Sequence, residues 1–190
     1  DVAVHIYNTL GHRYLLLEKD TDNNDPMVFI CKFKMKKMFA HVRTKKIRNI
    51  EINIMEYAEP EKVNNNNETL FIMICKNQSS SFVLDLLKDD FDYNLEHQDN
   101  DGNTALMCAI ENHLSNQAIT KIIKKMKNVN QINKKKENAI LLSCAKNLTK
   151  VSLELLKNKK IDLTKTDEYE NVALAYASVE DNLQVVEKMT

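Results

Sequence analysis

Through the second half of the chain, apolar and polar positions recur at a nearly constant interval. With Thr104 as the reference, the counterparts are Thr69, Ala139 and Val172, in steps of 35, 35 and 33 residues. Two residues after each come Phe71, Leu106, Leu141 and Leu174, and five after each come Ile74, Ala109, Cys144 and Ala177. These two positions lie about one helical turn apart and therefore share a face. A second apolar pair follows in every copy, at Leu86-Leu87, Ile122-Ile123, Leu155-Leu156 and Val185-Val186. The pattern predicts two short helices per copy, with a small or medium residue in the first that lets the second approach. Mostly polar pairs (Lys76-Asn77, Glu111-Asn112, Lys146-Asn147, Val179-Glu180) should close the first helix. Thr69 and Thr104 stand where a hydroxyl caps free backbone N–H groups, and Gly102 where a tight turn needs positive φ. One such unit cannot bury its own apolar face, so neighbours must stack.

Asp99-x-x-Gly102-x-Thr104-x-Leu106-x-x-Ala109 resembles the ankyrin repeat, and Asp167-x-x-Glu170-x-Val172-x-Leu174-x-x-Ala177 is similar in weaker form. The copies starting at Glu68 and Asn138 depart further. They lack the family's Pro and signature His, and Asn67 and Glu137 stand in place of its Gly. The resemblance implies an all-α, ankyrin-type helix-pair solenoid over residues 68–190, with repeats near 68–102, 103–137, 138–170 and 171–190. The last copy stops inside its second helix, so the natural chain is expected to continue. In this family the variable contact positions lie in the turn before the Thr position and at the end of the first helix. Carried over, they are Asn100, Asp101, Asn103, Glu111 and Asn112 in the best-matched repeat. The next repeat supplies Lys135, Lys136, Asn138, Lys146 and Asn147, and the last supplies Glu168, Tyr169, Asn171 and Glu180. Tyr169 draws notice because an aromatic at a turn tip can anchor an interface.

Residues 1–67 are expected to form a divergent N-terminal capping region. The stretch from Val2 to His12 overlays an ankyrin first helix, and Asp25-Pro26-Met27 resembles a second Thr-Pro-Leu. The steps of 23 and 44 residues around Asp25 are not those of a regular repeat. A β-hairpin competes, with Tyr14–Leu17 and Met27–Met35 flanking a polar turn. Met35, Met38, Phe39 and Val42 have helical spacing instead. Both readings stay open, with divergent repeats preferred. The polar run Asn64–Asn67 marks the boundary.

Composition narrows the picture. Two Gly and two Pro in 190 residues argue against a loop-rich sandwich and for helices. No apolar run reaches the length of a membrane span. Cys31, Cys75, Cys108 and Cys144 are widely spaced, which reads as buried reduced thiols in a cytoplasmic or nuclear protein. Net charge is zero but unevenly spread. Lys32 to Arg48 holds eight basic residues and no acid; residues 51–101 balance at minus nine, and residues 102–160 at plus nine. In a stacked array these blocks become bands of alternating sign.

Chemistry is sparse. The five histidines are scattered, no Cys, His and carboxylate cluster has metal-ligand spacing, and two glycines cannot build a phosphate cradle. The chain reads as a non-enzymatic module without cofactor or metal, binding another protein through its turn tips and first-helix ends. The alternative is a structural or regulatory segment packing within a larger protein. A third reading is nucleic-acid or anionic-surface binding through the basic block 32–48, weakened by scarce arginine and few stacking aromatics. The expected core comprises Leu70, Phe71, Ile74, Leu84, Leu87, Leu106, Ala109, Ile119, Ile123, Leu141, Cys144, Leu153, Leu156, Leu174 and Ala177.

Overall fold

The computed structural model describes residues 45–47, 50–52, 63–76, 80–88 and 92–190. The expectations for Val2–His12, Asp25–Met27, the 14–17/27–35 hairpin and the helical spacing from Met35 to Val42 lie outside them. Within the predicted capping region, β1 (Lys45–Ile47) pairs antiparallel with β2 (Ile50–Ile52), Lys45 facing Ile52 and Ile47 facing Ile50. That pairing was not foreseen at these residues.

The rest is helical. Among the described residues eight short helices follow one another: α1 (Leu70–Lys76), α2 (Ser80–Leu86), α3 (Ala105–Glu111), α4 (Asn116–Lys125), α5 (Ala139–Ala145), α6 (Thr149–Leu155), α7 (Ala173–Val179) and α8 (Leu183–Met189). They pack as pairs, α1 on α2, α3 on α4, α5 on α6 and α7 on α8. The first helices of the pairs also contact one another in sequence, α1 to α3 to α5 to α7, and the second helices do likewise. The core therefore runs between two rows of helices. A seven-residue helix is too short to persist alone, and buried apolar contact on several sides is what holds it.

The local reasons for each start and stop are visible. Thr104 Oγ1 accepts from Met107 N at 3.3 Å, and Thr69 Oγ1 from Ile72 N at 3.4 Å, so both expected caps form. After the first helix, His113, Asn147 and Asp181 adopt positive φ (53°, 52° and 52°), turning the chain into the second helix.

The third copy corrects the sequence register by one residue. Asn138, not Ala139, is the counterpart of Thr104: it caps α5, with Oδ1 accepting from Leu141 N at 3.0 Å. The steps are thus 35, 34 and 34 residues, through Thr69, Thr104, Asn138 and Val172. Ile140 takes the large apolar position and Ser143 the small one, in place of Leu141 and Cys144. Lys136, not Glu137, stands where Gly102 does, with φ of 61°. The run Ala139–Ala145 is buried almost throughout, so its hydrophobicity could not fix the phase. Ser143 meets Ser152 of α6 through hydroxyls 2.9 Å apart, and two small residues bring that pair of helices together.

Phe71, Ile74, Leu87, Leu106, Ala109, Ile119, Ile123, Leu141, Cys144 and Ala177 are buried as expected. Leu70, Leu84, Leu153 and Leu156 are only half-buried; on α2 and α6 the innermost places go to Leu86 and Leu155, and on α1 to Phe71, Ile72 and Ile74. Leu174 is 36% exposed, since α7 packs on α5 and α8 and leaves its outer side open.

Candidate functional site

Each first helix is preceded by a five-residue turn: Asn64–Glu68, Asp99–Asn103, Asn133–Glu137 and Asp167–Asn171. In every turn the first residue's N–H donates to the fifth residue's carbonyl, at 2.9–3.1 Å. The first side chain closes the loop from inside. Its Oδ1 accepts from the N–H groups of the third and fifth residues in all four, within 2.8–3.0 Å. This is why Asn or Asp is needed there. The fourth residue has positive φ: Asn67 (56°), Gly102 (79°), Lys136 (61°) and Glu170 (65°).

Consecutive tips are laced together by backbone. Asn100 N donates to Asn66 O (3.0 Å), Lys134 N to Asp101 O (2.9 Å) and Glu168 N to Lys135 O (3.1 Å). His97 adds a side-chain bond to the preceding turn, with Nε2 2.8 Å from Asn67 O.

The remaining polar atom of each turn's first residue is satisfied in one of two ways. Where the residue is Asn, its amide donates to a Glu four positions on: Asn64 to Glu68 at 2.7 Å and Asn133 to Glu137 at 2.8 Å. Where it is Asp, the turn's fifth residue is Asn and a further group meets the carboxylate. Tyr176 OH and Asn171 Nδ2 donate to Asp167 Oδ2. Burial works against the Asp167 charge, yet the bonds from Tyr176, Asn171 and Tyr169 outweigh it and hold the carboxyl below its ordinary value. Asp99 Oδ2 has no aligned hydrogen bond, but the Lys76 ammonium lies 2.8 Å away, and we read the contact as an ion pair. Lys76 also meets Glu68 at 2.6 Å. Partial burial disfavours its charge, but Asp99 and Glu68 prevail and raise the ammonium's pKa. Nearby, burial pushes the Cys108 thiol up to about 12.

These bonds leave the side chains of the second and third turn residues pointing to solvent or only lightly engaged. Asn100, Asp101, Lys135, Glu168 and Tyr169 are exposed, Tyr169 at 75%. Lys136 is exposed as well, at the positive-φ position. Asn103 and Asn171 are half-buried: the Asn103 side-chain oxygen accepts from the Asn133 amide of the next turn, and the Asn171 amide donates to Asp167 within its own turn. Glu111, Lys146, Asn147 and Glu180 are exposed at the ends of their first helices. Asn112 is half-buried, its amide donating to Cys108 O at 2.8 Å. Asn138 is corrected: at 0% exposure, with Oδ1 capping α5 and Nδ2 donating to Asp162 O, it cannot touch a partner.

The register slip also hid Lys134, which occupies the place of Asn100 and is exposed. Asn65 and Asn66 complete the row one turn earlier. Only the turn signature Asn133-x-x-x-Glu137, matched to Asp99-x-x-x-Asn103, would have revealed Lys134. The tips therefore present, in order, two asparagines, Asn100 with Asp101, Lys134 to Lys136, and Glu168-Tyr169-Glu170. Among the described residues no group of three His, Cys, Asp or Glu side chains is placed to hold a metal ion, and no helix is long and apolar enough to cross a membrane. No family model matches the chain, and no curated protein matches it.

Proposed function

We propose that this chain is a non-catalytic module of ankyrin type that binds another protein through its turn tips and first-helix ends. The observation that carries this reading is the division of labour within the turns. Backbone groups and the inward Asn or Asp build each tip and join it to the next, so the fold does not dictate the outward side chains. Lys134 and Lys135 or Glu168 and Tyr169 occupy equivalent places on the same backbone. A row of positions free to vary on a rigid scaffold is what partner recognition requires. The order neutral, acidic, basic, acidic favours a partner with the inverse arrangement. Tyr169 supplies the aromatic anchor.

The test is affinity capture of partners from an extract of the source cells, followed by titration of the captured protein. Lys134→Glu with Lys135→Glu should weaken binding at least about tenfold, and Tyr169→Ala should weaken it as well, with helix content unchanged. Full affinity in both variants moves the contact away from the tips. A second reading, a segment packing against other parts of a larger protein, is favoured by one observation. Leu174 (36%), Leu183 (63%) and Val179 (82%) are exposed on the last pair. The basic block 32–48 falls almost wholly outside the described residues.

A further inference from the structure

Outside the tips, the second-helix row carries a separate feature. Helices α4 and α6 lie side by side, and a groove of about 490 Å³ runs along them. From α4 it is lined by Asn116, Gln117, Thr120, Lys121 and Lys124, and from α6 by Lys150 and Glu154. The spacing of Gln117, Lys121 and Lys124, and of Lys150 and Glu154, keeps each set on one helix face.

The charge in the groove is one-sided. Glu154, with its side chain 15% exposed, is the only acid lining it, and it is already engaged by Lys157 and by Lys124 at 3.8 Å. Lys121 and Lys150 make no ion pair among the described residues. Three ammonium groups thus line the groove against one carboxylate, and the surplus sits in a concave site, where charge attracts counter-ions more strongly than on a flat surface.

We infer that the groove between α4 and α6 docks an extended acidic segment of another protein, seated by Lys121, Lys124 and Lys150. The neutral lining favours a peptide. Asn116, Gln117 and Thr120 offer donors and acceptors of the kind that pair with peptide N–H and C=O groups. A nucleic acid finds less: no arginine forks its phosphates and no aromatic stacks its bases. Lysine stems cover the apolar parts of the helices while the heads stay in water, which suits carboxylates spaced along a strand.

The test uses the full chain and a fluorescein-labelled peptide of alternating Glu and Ala, followed by anisotropy at low and moderate salt. Binding should weaken as salt rises and fall at least about tenfold in Lys121→Glu with Lys150→Glu. The milder Lys121→Gln with Lys150→Gln should lose less, and all these changes at the helix surface should leave the circular dichroism unchanged. Lys134→Gln with Lys135→Gln, on the tips, should bind the peptide as the parent does, which keeps this result separate from that of the proposed function. Equal affinity in the groove variants overturns the inference. So does loss confined to the tip variant, or a thymidine oligonucleotide of equal charge displacing the peptide more readily than unlabelled peptide does.

Discussion

Gly102 adopts φ +79°, and a Cβ there would lie 3.0 Å from Asn133 Cα and 3.1 Å from Lys134 N, both backbone atoms of the next turn. Gly102→Ala therefore meets a left-handed penalty and a clash with backbone that is itself hydrogen-bonded to Asp101. Urea unfolding should show a loss of about 2 kcal/mol. Lys136 holds the matching place with a side chain, so Lys136→Gly should stabilise by about 0.5 kcal/mol once the extra freedom of the unfolded chain is subtracted. The thiols pose a second question at this scale. Cys75, Cys108 and Cys144 are buried and unpaired, and burial raises the pKa of each, Cys108 to about 12. At neutral pH none is a thiolate, the form that attacks reagents. Brief alkylation followed by peptide mapping should find these three unmodified in the native protein and modified in urea.

At the scale of the element, each helix pair is set by its turn and its cap as much as by its apolar face. The last pair adds a pH dependence. Asp167 is held below its ordinary value of 3.8 by hydrogen bonds from Tyr176, Asn171 and Tyr169, so its ionised form favours the folded state. A lowered folded pKa means that this contribution is complete above the unfolded value and vanishes as pH falls through the folded one. The urea midpoint should therefore drop between about pH 5 and about pH 2, and Asp167→Asn should make that drop shallower. An unchanged slope would show that Asp167 is not the group titrating. The pairs themselves were legible in the sequence, because an alternation of one apolar helix face with a second apolar cluster has no other economical packing. The phase of α5 was not. Within Ala139–Ala145 nearly every side chain is buried, so shifting the pattern by one residue only exchanged Leu141 for Ile140 and Cys144 for Ser143, one buried residue for another. Asn138 decided it, through a cap visible only once its Oδ1 is seen to face Leu141 N.

For the whole molecule, stability is shared between neighbours. Leu106 is fully buried on α3, which touches α1 before it, α5 after it and its own partner α4. Leu106→Asp places an unpaired charge at that junction and should cost about 3–5 kcal/mol. Hydrogen exchange should accelerate in α1 and α5 as well as in α3; acceleration confined to α3 would deny the coupling. The sequence by itself determined the helical class, the pairing of short helices and the interval near 34 residues, because burying apolar area on a 3.6-residue period is a local demand written in residue order. The tertiary structure alone decided the tip ladder, the Lys76–Asp99 contact between the end of α1 and the next turn, and the lysine groove of α4 and α6. Those join residues that belong to different pairs. Their distance is set by how the pairs stack, which no single repeat encodes.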